Sequence, residues 1–223
     1  MTSEQKTRPV GNVTTLMGVD VQKVANGLWY LIADVMDCRA IDPAKRAELR
    51  LGEWTIGIRD WGNVHTFSQV NDASLSALAQ YVAVDANYML RRTEVYQAAL
   101  QYKFIPVMGK ARENFNMLWQ RQNVDPFEGR RGGGNKKNML AQLMFQSDTL
   151  DFKAVDLITC QLPAIRLMIP TPQDPVLSRH LQSTCIVDGA IEKRWSGQHV
   201  DDHLYDCLKY ILLLAMYLQL IPA

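Results

Sequence analysis

The nine residues VTTLMGVDV, positions 13–21, are apolar or β-branched apart from one carboxylate, Asp20, set between two valines. β-branched side chains favour extended backbone, so the run reads as a strand. LWYLIADV, residues 28–35, follows across a short turn containing Asn-Gly, and the two runs together predict an antiparallel hairpin. An aspartate inside such a strand projects to one face of the sheet, and that face otherwise reads as core. A buried carboxylate is costly unless something pairs with it. Fold and chemistry therefore meet at Asp20.

Reading outward, DPAKRAELR at 42–50 predicts a short helix or a loop, and a third strand is expected within 48–58. NDASLSALAQ, 71–80, has the pattern of a capped amphipathic helix. A strand over 81–84, a helix over 91–102 and a strand over 104–108 make a β-α-β unit, which favours a partly parallel sheet covered by helices. From 109 to 138 the pattern dissolves into a polar, glycine-bearing segment, too long for an ordinary connection in a compact domain. Residues 139–145 and 152–162 have helical spacing, 164–169 reads as a strand ending in IPTPQDP, and a last helix is expected over 200–219. Residues 1–12 read as a loose polar leader, and 13–223 as one α/β domain with a central mixed sheet flanked by helices.

At 223 residues, 48% hydrophobic and 21% charged, the chain has the composition of a globular domain with a sizeable core. Its formal charge of +1 gives no whole-chain field for a nucleic acid, so any such binding has to come from a local patch. The four cysteines form no C-x-x-C pair, which suits a reducing cytoplasm. The apolar stretch 204–221 is interrupted by Lys209 and Gln219 and reads as a buried helix rather than a membrane span.

Two further acids share the setting of Asp20: Asp85 at the end of an apolar strand and Asp206 within the apolar last helix. Only Lys23 and Lys209 lie within three residues of Asp20 or Asp206, so salt bridging explains the three acids poorly, and a divalent cation explains them better. Oxygen-only clusters suit Mg²⁺ or Mn²⁺, and two such ions hydrolyse phosphodiesters by activating water and stabilising the leaving oxygen. Asp202 lies one helical turn before Asp206, and His203 three residues before it, a spacing that brings both within reach of one ion. A plainer reading stands beside each: Asp85 as a helix cap or turn residue, Asp201 and Asp202 as N-caps, His203 as solvated.

Between 110 and 137 the bases Lys110, Arg112, Arg121, Arg130, Arg131, Lys136 and Lys137 outnumber the acids. The densest part is RRGGGNKK, 130–137, where glycines allow close approach to phosphate and four cations bracket them. Arg130, Arg131, Lys136, Lys137 and Lys110 are accordingly the candidate contacts to a duplex backbone, without sequence readout. The alternative is a solvated loop whose charges serve solubility.

GVDVQ (18–22), VDANY (84–88) and HLYDCLKYILLLA (203–215), taken in this order, resemble the nuclease domain of tailed-phage large terminases, of the RNase H-like superfamily. The segments KFIPVMGK (103–110) and EKRW (192–195) add weaker similarity. The resemblance implies an RNase H-like fold in which Asp20, Asp85 and Asp206 bind two metal ions, with His203 and Asp202 as further ligand candidates. It implies an endonuclease that cuts concatemeric phage DNA in the cytoplasm of an infected bacterium, beside an ATPase domain, a small terminase and a portal, with no membrane partner. Two features depart from the pattern. Asp202 stands where the family usually has Asn, and no G-x-x-x-x-G-K-[ST] motif of a packaging ATPase occurs. Rival readings are another RNase H-like nuclease of resolvase or transposase type, and a non-catalytic module docking to packaging proteins. A hydrolase of small substrates is disfavoured, because no nucleophile-elbow G-x-S-x-G is present.

Overall fold

The computed structural model describes residues 12–23, 27–111, 117–126, 139–193 and 202–223. The expected leader lies outside them save for Asn12. Strand β1 (Val13–Val21) pairs antiparallel with β2 (Leu28–Asp37), with Asp20 facing Trp29, as the hairpin reading requires. β3 (Trp54–Val64) continues the meander and runs well past the segment expected for it. α1 (Pro43–Glu48) lies between β2 and β3, capped by the Asp42 side chain.

On the other side of β1 the sheet becomes parallel. β4 (Tyr81–Asp85) pairs with β1, β5 (Ile105–Lys110) with β4, and α3 (Arg92–Tyr102) crosses between β4 and β5. β7 (Leu140–Gln146) is parallel to β5, β6 (Trp119–Val124) is antiparallel to β7, and β8 (Ile165–Met168) is parallel to β3. The eight-stranded mixed sheet thus has the order β6-β7-β5-β4-β1-β2-β3-β8. A separate hairpin, β9 (Thr184–Val187) with β10 (Ala190–Lys193), turns through Asp188 and Gly189, both at positive φ, which is the Asp-Gly signature of a tight hairpin.

Three expectations need correction. The stretch read as helical over 139–145 is β7: its apolar spacing fits a helix, yet residues 142–146 are buried in succession because the strand lies inside the sheet with both faces covered. The segment 109–138 is not a single loop, since its middle forms β6, a polar edge strand. The helix expected at 71–80 is α2 (Phe67–Ser76), begun by a capping box between Thr66 and Gln69 rather than by Asn71. It ends where Leu78 takes a left-handed conformation, φ 57°.

Each face of the sheet carries its own core. Met17, Val19 and Val21 of β1 pack with Val70, Val95, Tyr96 and Ala99, the α2 and α3 side. Leu16 of the same strand packs on the opposite side with α4 (Ser147–Ile158), α5 (Pro175–Leu181) and α6 (His203–Tyr217). The period-two alternation of β1 therefore sends Leu16, Gly18 and Asp20 toward α6. α6 is buried on nearly every side from Leu204 to Met216, lying on β1 and β2 and covered by α4 and α5. Among the described residues no helix is long and apolar enough to cross a membrane.

Contact between α6 and the sheet is closest at Gly18, where a Cβ would stand 2.1 Å from the Cys207 carbonyl oxygen. Backbone on both sides leaves nothing flexible to move aside. Gly18→Ala is expected to cost about 3 kcal/mol or more, the upper range for overpacking. Urea unfolding midpoints measure this; a loss within about 0.5 kcal/mol, as for an ordinary surface change, would contradict the close contact.

Candidate active site

β1 and β4 run parallel with Gly18 opposite Ala83 and Val19 opposite Val84. One step further along both strands stand Asp20 and Asp85. By strand alternation Asp20 shares the face of Gly18, and Asp85 that of Ala83, which belongs to the core under α6. Two carboxylates thus stand side by side at the ends of neighbouring strands, whose spacing is about 4.8 Å. Both are buried, Asp20 to 3% exposure and Asp85 to 5%.

The first turn of α6 closes over them. Nδ1 of His203 lies 2.9 Å from Oδ2 of Asp20, and the Gln22 amide donates to the same oxygen at 2.5 Å. Trp29, which faces Asp20 across the hairpin, stacks on the His203 ring at 5.5 Å between centroids. His180 of α5 packs against both rings, and its Nδ1 accepts the Leu204 backbone N–H at 3.3 Å. That bond satisfies one of the amides that a helix start leaves open, where the Asp202 side chain makes no cap. Asp85 accepts the Asn87 backbone N–H at 2.9 Å, closing a local turn, so the plainer turn reading of this residue holds alongside its burial.

Asp206 is engaged differently. The Lys209 ammonium sits 2.6 Å from Asp206 Oδ1 and 2.9 Å from Oδ1 of Asp151 on α4, while Tyr205 also donates its hydroxyl to Asp151. Asp202 pairs with Lys193 at the end of β10. The expectation that salt bridging explains the acids poorly is therefore corrected for Asp206: Lys209, one turn along α6, reaches it directly. Nor do His203 and Asp206 share a contact, since one turns to Asp20 and the other to Lys209.

Burial and neighbouring charge both act on the acids of the site. Asp85 is pushed up to about 7, first by burial and then by the charges of Asp20 and Asp206. Asp20 is also raised, by burial and by Asp206, against the opposing hydrogen bond from His203. Burial would lower His203, but its bond to Asp20 and the fields of Asp20, Asp202 and Asp206 prevail and raise it. Burial raises the Tyr210 hydroxyl, and the charges of Asp85, Asp206 and Asp20 raise it further.

Asp20, Asp85, Asp206, His203 and Asp202 thus gather around the start of α6. Among the described residues, no three or more His, Cys, Asp or Glu side chains converge closely enough to form a ready-made metal cage. The donor chemistry nonetheless fits a hard divalent cation: buried carboxylates on rigid elements, raised first by burial and then by the charge of neighbouring acids, the second of which such an ion would relieve. Lys110 ends β5, three residues beyond the partner of Asp85 and so at the same end of the sheet. Arg130, Arg131, Lys136 and Lys137 lie outside the described residues. Sequence reasoning missed Asp151, Gln22, Trp29 and His180. Trp29 was within reach, because a hairpin pairing Val21 with Leu28 puts it opposite Asp20; Asp151 and His180 carry no local signal and arrive by helix packing. Comparison of the chain with protein-family models, curated proteins and solved structures finds no match in any of the three.

Asp85 yields a pH prediction. An aspartate in the unfolded chain ionises near 3.8 and this one near 7, so between those values the folded protein binds more protons and its stability falls as pH rises. Asp85→Asn removes that dependence. Near pH 8 in EDTA the variant is expected to be more stable than wild type by up to about 4 kcal/mol, at about 1.4 kcal/mol per pKa unit, with the gap shrinking toward pH 4. Urea midpoints across this range check it, and a gap independent of pH would refute it.

Proposed function

We propose that this chain is a divalent-metal-dependent DNA endonuclease of RNase H-like fold, the nuclease part of a phage DNA-packaging terminase. The observation that carries this reading is the placement of Asp20 and Asp85 side by side at the ends of adjacent parallel strands, beneath the helix turn bearing Asp206. First strand, middle strand end and last helix are the three positions that the terminase resemblance assigns to its metal ligands. The antiparallel meander β1-β2-β3 followed by parallel β4 and β5 supports the same fold.

In this reading Asp20, Asp85 and Asp206 hold Mg²⁺ or Mn²⁺, with His203 and Asp202 beside them. Such ions, when bound, supply the charge that lowers the pKa of a water and steadies a phosphodiester. The residues of the chain do the rest. Strand backbone fixes Asp20 and Asp85, so little ordering remains for the site to gain on binding. Trp29 and Asp20 hold the His203 ring in one orientation, with Nδ1 committed to Asp20. Lys110 and the basic residues Arg130, Arg131, Lys136 and Lys137 would bind duplex phosphates without reading sequence, a grip that salt weakens. The working setting would be the cytoplasm of an infected bacterium, with an ATPase domain, small terminase and portal as partners.

A second reading has its own support. Asp20 and Asp85 are hydrogen-bonded to protein groups, as a non-catalytic module docking to packaging proteins would have them. Cleavage of supercoiled plasmid by the purified chain with Mn²⁺, Mg²⁺ or EDTA separates the two. Metal-dependent nicking or linearisation is expected, reduced in Asp20→Asn and in Asp206→Asn by more than about a hundredfold, the upper end for loss of an outer-shell partner. A folded wild-type chain that cuts with neither metal would favour the docking module.

A further inference from the structure

We propose that Lys209 is a built-in cation occupying the position of a second metal ion, so that this chain binds one divalent ion, between Asp20 and Asp85, where a two-ion site would be expected. The inference rests on the metal-dependent reading above and differs from it in the number of ions. Lys209 is 8% exposed, in the middle of a helix that is otherwise apolar at this level. Its ammonium bridges two carboxylates from different helices, at 2.6 Å to Asp206 and 2.9 Å to Asp151. A charge shared between two partly buried carboxylates in this way does what a bridging cation does: it screens their repulsion and fixes their separation. It is covalently attached and cannot leave.

Among the described residues the lysines are distributed unevenly across the cluster. On the helix side, one Lys209 is shared between Asp206 and Asp151, and Lys193 pairs with Asp202. On the strand side, among the described residues, neither Asp20 nor Asp85 has a lysine or arginine pair; Asp20 pairs with His203 and accepts from Gln22, and Asp85 accepts from Asn87. Among the described residues the two neighbouring strand ends are thus the part of the cluster without a resident ammonium, which leaves that side open to an ion. A second ion next to Asp206 would have to approach a resident ammonium 2.6 Å from its ligand oxygen, and like charges at that range repel strongly in a buried setting.

Stoichiometry decides this without any reference to cleavage. Mn²⁺ alone is titrated into the full chain, and free ion is followed by its paramagnetic resonance signal. Wild type is expected to take up one ion per chain. Lys209→Gln, which keeps much of the length and hydrogen-bonding capacity without the charge, is expected to take up two, and Lys209→Arg one. Two ions in wild type, or one ion in a folded Lys209→Gln variant, would overturn the assignment of Lys209 while leaving the metal-dependent reading intact. No tight ion in wild type would overturn that reading and this inference together. Should Lys209→Gln fail to fold, the wild-type count and an Asp151→Asn variant still test the idea, because freeing the ammonium from Asp151 leaves it on Asp206 and the count at one.

Discussion

Helix α6 can rest on β1 only because position 18 has no side chain. With the Cys207 carbonyl where a Cβ would be, helix and strand backbones meet at a distance that no other residue permits. Everything chemical about the chain follows from that contact. It lowers the first turn of α6 onto the end of β1, so that His203 touches Asp20 and the charge of Asp206 helps to raise Asp20 and Asp85. It also explains why α6 is apolar nearly all round: a helix pressed this deep against a sheet and roofed by α4 and α5 has no solvent face to keep polar.

Burial on this scale makes acid placement expensive, and the structure meets the cost in two ways. On the helices it uses lysines, one per pair of elements: Lys209 ties α6 to α4 through Asp151, and Lys193 ties the β9-β10 hairpin to Asp202. For Asp20 and Asp85 at the strand ends the partners among the described residues are His203, Gln22 and Asn87, and burial raises both carboxylates. Lysine-paired acids hold elements together, whereas Asp20 at its strand end meets a histidine that arrives from the start of α6. The same sequence feature, an aspartate in an apolar run, thus has two physical outcomes according to what packs opposite it.

Local pattern and tertiary setting part company in β7. LAQLMFQ carries apolar residues at helical spacing, and nothing within the segment tells a strand covered on both faces from a helix. What decides it is the empty place in the sheet between β5 and β6, a fact about other parts of the chain. α2 shows the opposite case: T-F-S-Q at 66–69 is a capping box written in sequence, overlooked because Asn71 also makes an acceptable start.

The sequence by itself determined the first hairpin, the β4-α3-β5 crossover, the buried last helix and the three acids at exposed risk of burial. Those are short-range matters, settled by side-chain shape, period and the cost of desolvating a charge. The facing of Asp20 and Trp29 belongs with them, since hairpin register is arithmetic along the chain. Only the tertiary structure decided which acids find lysines and which do not. Asp206 meets Lys209 within its own helix, but Asp151 reaches that ammonium from α4, and His180 reaches α6 from α5. Such meetings depend on how helices pack against one face of a sheet, and the contacts that set this packing are spread over residues far apart in sequence.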